Sequence, residues 1–228
     1  MGRPTGTSIM RVSFASRRAA CLAALALPAG AAQAEAARFT KVFATGHAPA
    51  TLHAHVLYKG SDGSLHRMSL WRSGDRLLRR DTDSRLTTIV THRPHDLAYR
   101  LDLFDHARRL HTIVDRESLY QVGRFTDWSA MAYGLQTPTG RYAIRPVSQP
   151  PIMPTVAPCR WFELGQPGRT TRICWSEALA FPLMIASAGG QIVWRVTDVD
   201  RKPLPSAIFR LNPAGYTLND AAQDLKRD

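Results

Sequence analysis

Three histidines fall where a strand pattern would let them act together. His53 and His55 lie two residues apart, so on a strand they share one face. His66 lies in the next strand-like segment and would stand opposite them. Three imidazoles converging on one sheet face would bind Zn²⁺ or Cu²⁺. A polar sheet face turned to water uses the same residues, and it is the reading adopted, so neither a metal nor a cofactor is expected. His92 and His95 flank Arg93-Pro94 in a turn, at a spacing that is no metal signature. Asp102 and Asp105, and the set His111, Asp115 and Ser118, supply acids, a base and a hydroxyl. Nothing in their spacing makes them converge, and no G-x-S-x-G, H-E-x-x-H or phosphate-binding loop is present. The expectation is a protein that is not an enzyme.

Cys159 and Cys174 fall in consecutive strand-like segments joined by Gly165-Gln166-Pro167-Gly168. Across a hairpin they would face each other and form a disulfide, whose closed loop is worth roughly 3 kcal/mol in the chain-entropy model. Four tryptophans, Trp128, Trp161, Trp175 and Trp194, suit either an ordinary core or the lining of a cavity.

The elements that would carry these residues read as short strands. Leu52, Ala54, Val56 and Tyr58 alternate with His53, His55 and Leu57. Met68 and Leu70 alternate with Arg67, Ser69 and Trp71 after a G-S-D-G turn. Further strand-like runs cover 76–80, 86–91, 97–104 and 109–114, giving a meander of about six strands. Between Glu117 and Leu135 the period changes, and Phe125, Trp128, Met131 and Leu135 fit a helix that would cover the sheet. Arg141 to Val147 reads as another strand, and residues 148–158 hold four prolines and read as an extended loop. Residues 35–50 read as a lead-in with a short helix. Strands alternating polar and apolar argue for an antiparallel sheet with one face buried.

The N-terminus reads as a targeting segment. Arg11, Arg17 and Arg18 precede an uncharged apolar run, Ala19 to Ala32, and Ala32-Gln33-Ala34 is an A-x-A cleavage site. Translation starting at Met10 would give a signal of more usual length. The reading is therefore a cleaved signal over 1–34 and a single domain over 35–228, delivered to the periplasm by the general secretory route. Arg17-Arg18 also fits twin-arginine export, although no aromatic follows the pair. The chain of 228 residues carries a formal charge of +12, and the four arginines before Glu35 leave +8 on the mature part. The basic residues are spread among acids without a nucleic-acid motif, so no nucleic-acid partner is expected. A peripheral attraction to an anionic membrane face fits the same charge.

With these segments in order, the chain resembles the LolA/LolB-like superfamily of periplasmic lipoprotein carriers and their lipoprotein-sorting-like relatives. The resemblance rests on the strand meander, the C-W-x-x-x-x-x-x-P-L-x-I phrase from Cys174 to Ile185, V-x-x-V-x-D-V from Val193 to Val199, and F-x-L-x-P-x-G-Y from Phe209 to Tyr216. It covers about 150 residues by order of elements. It implies a mainly β (α+β) fold, an antiparallel, strongly curved half-open β-barrel with a short helical cover, ending on a strand at I-F-R-L-N-P-A-G-Y. It further implies a concave apolar face that holds a hydrophobic small molecule, lipid or acyl chain. Val56, Met68, Leu70, Ile89, Trp128, Met131, Trp175 and Trp194 are the expected lining. No arginine of this chain is matched to the cargo-transfer arginine of the carriers. The alternative is an interaction module for envelope proteins, built on the same fold with a filled core.

Overall fold

The structure is a computed structural model that describes residues 38–121, 127–147 and 154–221. The expected signal segment, Phe125 and most of the proline-rich loop lie outside the described residues. The strands are β1 (Thr51–Lys59), β2 (Leu65–Ser73), β3 (Leu77–Thr82), β4 (Leu86–His92), β5 (Tyr99–Asp105), β6 (Leu110–Asp115), β7 (Ala143–Pro146), β8 (Arg160–Gln166), β9 (Arg169–Ser176), β10 (Phe181–Ser187), β11 (Ile192–Asp200) and β12 (Thr217–Asp220). They form one curved sheet in the order β12-β6-β5-β4-β3-β2-β1-β11-β10-β9-β8-β7. Every neighbouring pair is antiparallel except β12 with β6, which is parallel. The mainly β, antiparallel, open curved architecture is the expected fold class.

Short helices accompany the sheet among the described residues: α1, described over 38–42, α2 (Arg116–Gln121) and α3 (Trp128–Tyr133). The single helical stretch read between Glu117 and Leu135 is thus two helices separated by undescribed residues. The C-terminal phrase also departs from expectation. Residues Ser206–Phe209 form a 3₁₀ turn, and the last strand comes after Tyr216. Pro203, Pro205 and Pro213 remove the amide donors that a ladder through this segment would need. Within the W-S-E-A-L-A-F run β9 and β10 meet at a turn where Ala180 takes a left-handed φ of 46°.

Period-two alternation divides the sheet into two faces. The concave face takes Leu52, Ala54 and Val56 of β1, Met68 and Leu70 of β2, Leu78 of β3 and Val90 of β4. Val196 of β11, Leu183 of β10 and three residues of α3 join this cluster, with Tyr99, Leu179 and Phe181. Over the other half, Phe39 of α1 and Phe43 just beyond it pack with Phe162, Ile173 and Trp175. The Phe43 ring meets those of Phe162 and Trp175 edge-on at 5.6 and 5.5 Å. Behind the sheet, Trp161, Cys174 and Met184 form a third cluster. Burying apolar area of this kind is worth about 25 cal/mol per Å² and is the main force holding the curvature.

Cys159 and Cys174 are joined, with Cα atoms 5.4 Å apart, at the point where Trp161 of β8 pairs with Cys174 of β9. The hairpin between them turns on Pro167-Gly168, with Gly168 at φ 72°, the geometry of a type II turn. Replacing both cysteines by alanine is expected to cost about 3 kcal/mol. Urea unfolding of the variant beside the oxidised protein measures that difference.

Candidate functional site

Helix α3 lies across the concave face and fills it. Trp128, Met131 and Ala132 are buried against the β1, β2 and β11 side chains. The helix ends at Gly134, which takes φ 74° and returns its N–H to Ala130 O at 3.1 Å. A Cβ on Gly134 would stand 3.1 Å from Pro182 Cγ, so only glycine allows the chain to leave the helix this close to β10.

Two arginines rise from the sheet under this helix. Arg72 of β2 is fully buried; its Nη1 donates to Ala132 O and its Nη2 to Leu179 O, each at 3.1 Å. Its guanidinium lies 4.5 Å from the Tyr133 ring centroid. Arg80 of β3 donates through Nη2 to Met131 O. Neither takes part in an ion pair among the described residues. Both therefore hold charge in the interior on carbonyl dipoles and one aromatic face. Burial pushes each pKa down to about 10, still well above neutrality, so both remain cations. The α3 carbonyls they take belong to its last turn, which has no intrahelical donor of its own and carries the negative end of the helix dipole.

The buried polar atoms without a partner among the described residues include the N–H donors Arg72 Nε, Arg80 Nε, Trp128 Nε1 and Trp175 Nε1. Beside Trp175 and α1 there is a cleft of about 100 Å³, bounded also by Tyr133, Leu135 and Thr137. A groove of about 390 Å³ follows on the far side of Leu135 and Thr137, floored by Leu164, Ile173 and Ile185. The segment after α3 separates the two.

The expected lining residues divide. Val56, Met68, Leu70, Trp128 and Met131 pack together, with Trp194 partly buried at their edge. Trp175 sits in the neighbouring cluster and borders the 100 Å³ cleft. Ile89 is a correction. It pairs with Arg79 and Asp102, the parity of the outer face, whereas Val90 takes the concave one. The Ile-Val run is buried on both sides because the C-terminal segment crosses behind β3, where Arg79 Nη1 donates to Ile208 O at 2.8 Å.

The three-histidine grouping is also corrected. In the β1–β2 register His53 opposes Trp71, His55 opposes Ser69, and His66 opposes Tyr58, one residue out of phase. His66 therefore points away from the other two, and among the described residues no three His, Cys, Asp or Glu side chains are arranged to hold a metal. His53 stacks on Trp71 at 4.8 Å and touches His55 edge-on at 4.7 Å. Burial, then His55, lowers the His53 pKa, against the raising effect of Asp200 and Asp198 across the pair. The two buried arginines of the site escape a reading of the sequence because they occupy apolar positions of alternating strands and look there like solvent-facing charges.

No protein-family model matches the chain, and no curated protein matches it. Among solved structures it is similar to an uncharacterized conserved protein from Thermus thermophilus, at 12% identity and TM-score 0.51, over 81% of this chain and 98% of that one. It is also similar, distantly, to a LolA superfamily protein from Nitrosomonas europaea, at 14% identity and TM-score 0.32, over 79% and 97% of the two chains. The first likeness shows a shared fold. No helix among the described residues is long and apolar enough to cross a membrane.

Substituting Arg72→Met or Arg80→Met is expected to free the end of α3. Loss of charge-assisted bonds worth about 2 kcal/mol makes local opening roughly thirty-fold more frequent. Hydrogen exchange at Met131 to Gly134 reads this directly. Because the folded state binds a proton at His53 less readily than the unfolded chain, the stabilising effect of neutral His53 is complete above its ordinary value of 6.5 and is lost as pH falls through and below it. Thermal unfolding of His53→Asn against pH is expected to show a shallower acid slope than the native protein.

Proposed function

We propose that the protein binds a hydrophobic, acyl-bearing ligand on the concave face, beneath the α3 cover, and does so as an exported periplasmic carrier or sensor. The observation that carries this reading is the pair of buried guanidiniums that hold the cover by its carbonyls. A structural cover needs only apolar packing, and a buried charge without a carboxylate is costly to keep. It becomes useful where the contact must be exchanged: a carbonyl or carboxylate on an incoming ligand replaces the helix carbonyls at the same donors. The unspent Nε and indole N–H groups fit the polar end of such a ligand. The apolar floor fits its tail, each buried CH₂ being worth about 0.8 kcal/mol. The chemistry is reversible binding, and the basic surface favours anionic headgroups.

Opening is required because the voids on this face are small in the closed state. Tail entry would follow the groove between residues 134–139 and β9–β10 and displace Leu135 toward the cleft at Trp175. The smallness of the cleft favours a second reading, an envelope interaction module whose core is permanently filled.

The two readings separate on one experiment. Native mass spectrometry of protein purified from the periplasm, followed by organic extraction, is expected to reveal a stoichiometric acyl adduct. Arg80→Met is expected to bind a fluorescent fatty acid at least tenfold more weakly, because it removes one of the two guanidiniums that would take the ligand's carboxylate. A bare polypeptide mass, with no uptake by native protein or variant, would leave the filled-core module.

A further inference from the structure

Charge is not shared evenly between the two ends of the sheet. Strand order and register bring the β1–β2, β3–β4, β5–β6, β8–β9 and β10–β11 turns to one rim. There Lys59 pairs with Leu65, Thr82 with Leu86, Asp105 with Leu110 and Gln166 with Arg169. These turns and their strand ends carry Lys59, Arg85, Arg108, Arg109 and Arg169. Arg141 lies at the same rim, two residues ahead of Ala143, which pairs with Gly165. All of these side chains are exposed. At the opposite rim the turns set an acid beside a base, Asp75 with Arg76 and Asp96 with Arg93. Arg160 is paired there with Glu177, and Lys202 with Asp200, each at 3.3 Å.

The acids of the first rim are Asp62, Asp83 and Asp105, and their own turns use them. Asp62 accepts the Ser64 N–H at 3.0 Å, Asp83 the Arg67 N–H at 2.8 Å, and Asp105 the N–H groups of Ala107 and Arg108 at 3.0 Å each. Aspartate is favoured in turns for this reason. Hydrogen bonds from Ser64, Arg67 and Arg108 hold the three carboxyl pKa values below the usual range, so each acid is a full negative charge. The bases still outnumber them two to one. Arg108 lies 3.8 Å from Asp105, and Arg109 lies over the Tyr216 ring. Lys59, Arg85, Arg141 and Arg169 enter no ion pair among the described residues. The groove of about 390 Å³ on the concave side reaches this rim at Gln166 and Arg169.

We propose that this rim is a docking surface for an anionic lipid bilayer. Its cations are spread along the ends of strands spaced about 4.8 Å apart, too widely for one phosphate or carboxylate to bridge them. Leu65 is the only large apolar side chain exposed in these turns or at their strand ends, too little for the apolar core of a protein interface. A broad negative surface meets all the turns at once, and each basic residue near the headgroups raises the partition about fivefold. At about 0.15 M salt, screening over about 8 Å limits the attraction to side chains at the rim itself, so the molecule binds end-on. In that pose the groove opens toward the membrane, where an acyl ligand would enter or leave. This last step rests on the ligand-binding reading; the docking rests on the turns alone.

The test is co-sedimentation of the purified protein with vesicles of equimolar phosphatidylglycerol and phosphatidylcholine. At about 0.15 M salt the native protein is expected to bind them about tenfold or more tightly than vesicles of phosphatidylcholine alone, and to be released as salt rises. Lys59→Gln combined with Arg85→Gln, at two turns away from the groove, is expected to weaken binding by about tenfold or more. Arg76→Gln combined with Arg93→Gln removes the same net charge from the opposite rim, and is expected to change binding by less than about threefold. Equal losses from the two pairs would show attraction by net charge without a docking face, and equal affinity for neutral vesicles would show no charge recognition; either overturns the proposal. Fatty-acid uptake is measured on the same proteins. Vesicle binding without uptake sinks the acyl-ligand reading and keeps the docking rim, and uptake without vesicle binding does the reverse.

Discussion

The concave face is governed by a mismatch between two guanidinium ions and an apolar interior. Arg72 and Arg80 stand in the same rows as Leu70 and Leu78, where a hydrocarbon would pack at no electrostatic cost. Their charge is met by the carbonyls of Met131, Ala132 and Leu179 and by the Tyr133 ring. Carbonyl dipoles at a helix C-terminus are suitable partners, but they are neutral and can be replaced by any stronger acceptor. The position of α3, the exit of the chain at Gly134 and the division between cleft and groove all follow from where these two side chains find their acceptors.

The outer face is held by another kind of contact. A chain of polar groups runs from Arg79 through Asp81 and Thr87 to His106 and Tyr216, each link between 2.6 and 2.9 Å. Arg109 lies over the Tyr216 ring at 4.7 Å and donates to Gly215 O. These contacts carry the C-terminal segment behind the sheet and deliver Thr217–Asp220 to β6 in the parallel sense. The side of the sheet that strand alternation assigns to water is therefore partly roofed, which is why Ile89, Phe104 and His111 are buried there.

Some of this is legible in the residues. The alternation around His53 and Met68, the turn residues at Gly63 and Gly168, and the spacing of Cys159 and Cys174 report local geometry, and strand, hairpin and disulfide follow from them. Ile89 and His66 are misplaced by the same reasoning, for related causes. A strand covered on both faces has no clean period, and the unbroken alternation of β2 sets His66 in the row of Met68 and Leu70, opposite Tyr58, Val56 and Ala54 and not in the row of His53 and His55. The contact of His66 with Asp83 has no signal along the chain, because the acid arrives from a different turn.

Strand lengths, hairpins, the disulfide and the apolar character of one face are already written in the order of the residues, since each depends on positions within about fifteen of one another. Folding in three dimensions was needed to choose the side on which each face closes, the arginines that lose their water, and the acid that meets His66. Those outcomes depend on long-range placement: α3 reaches Arg72 across sixty residues, and the C-terminal segment reaches Arg79 across more than a hundred. A charged side chain reads the same in a one-dimensional pattern whether it ends in solvent or under a helix. Its energy differs by several kcal/mol between the two, and that difference exists only once the remote partner is in place.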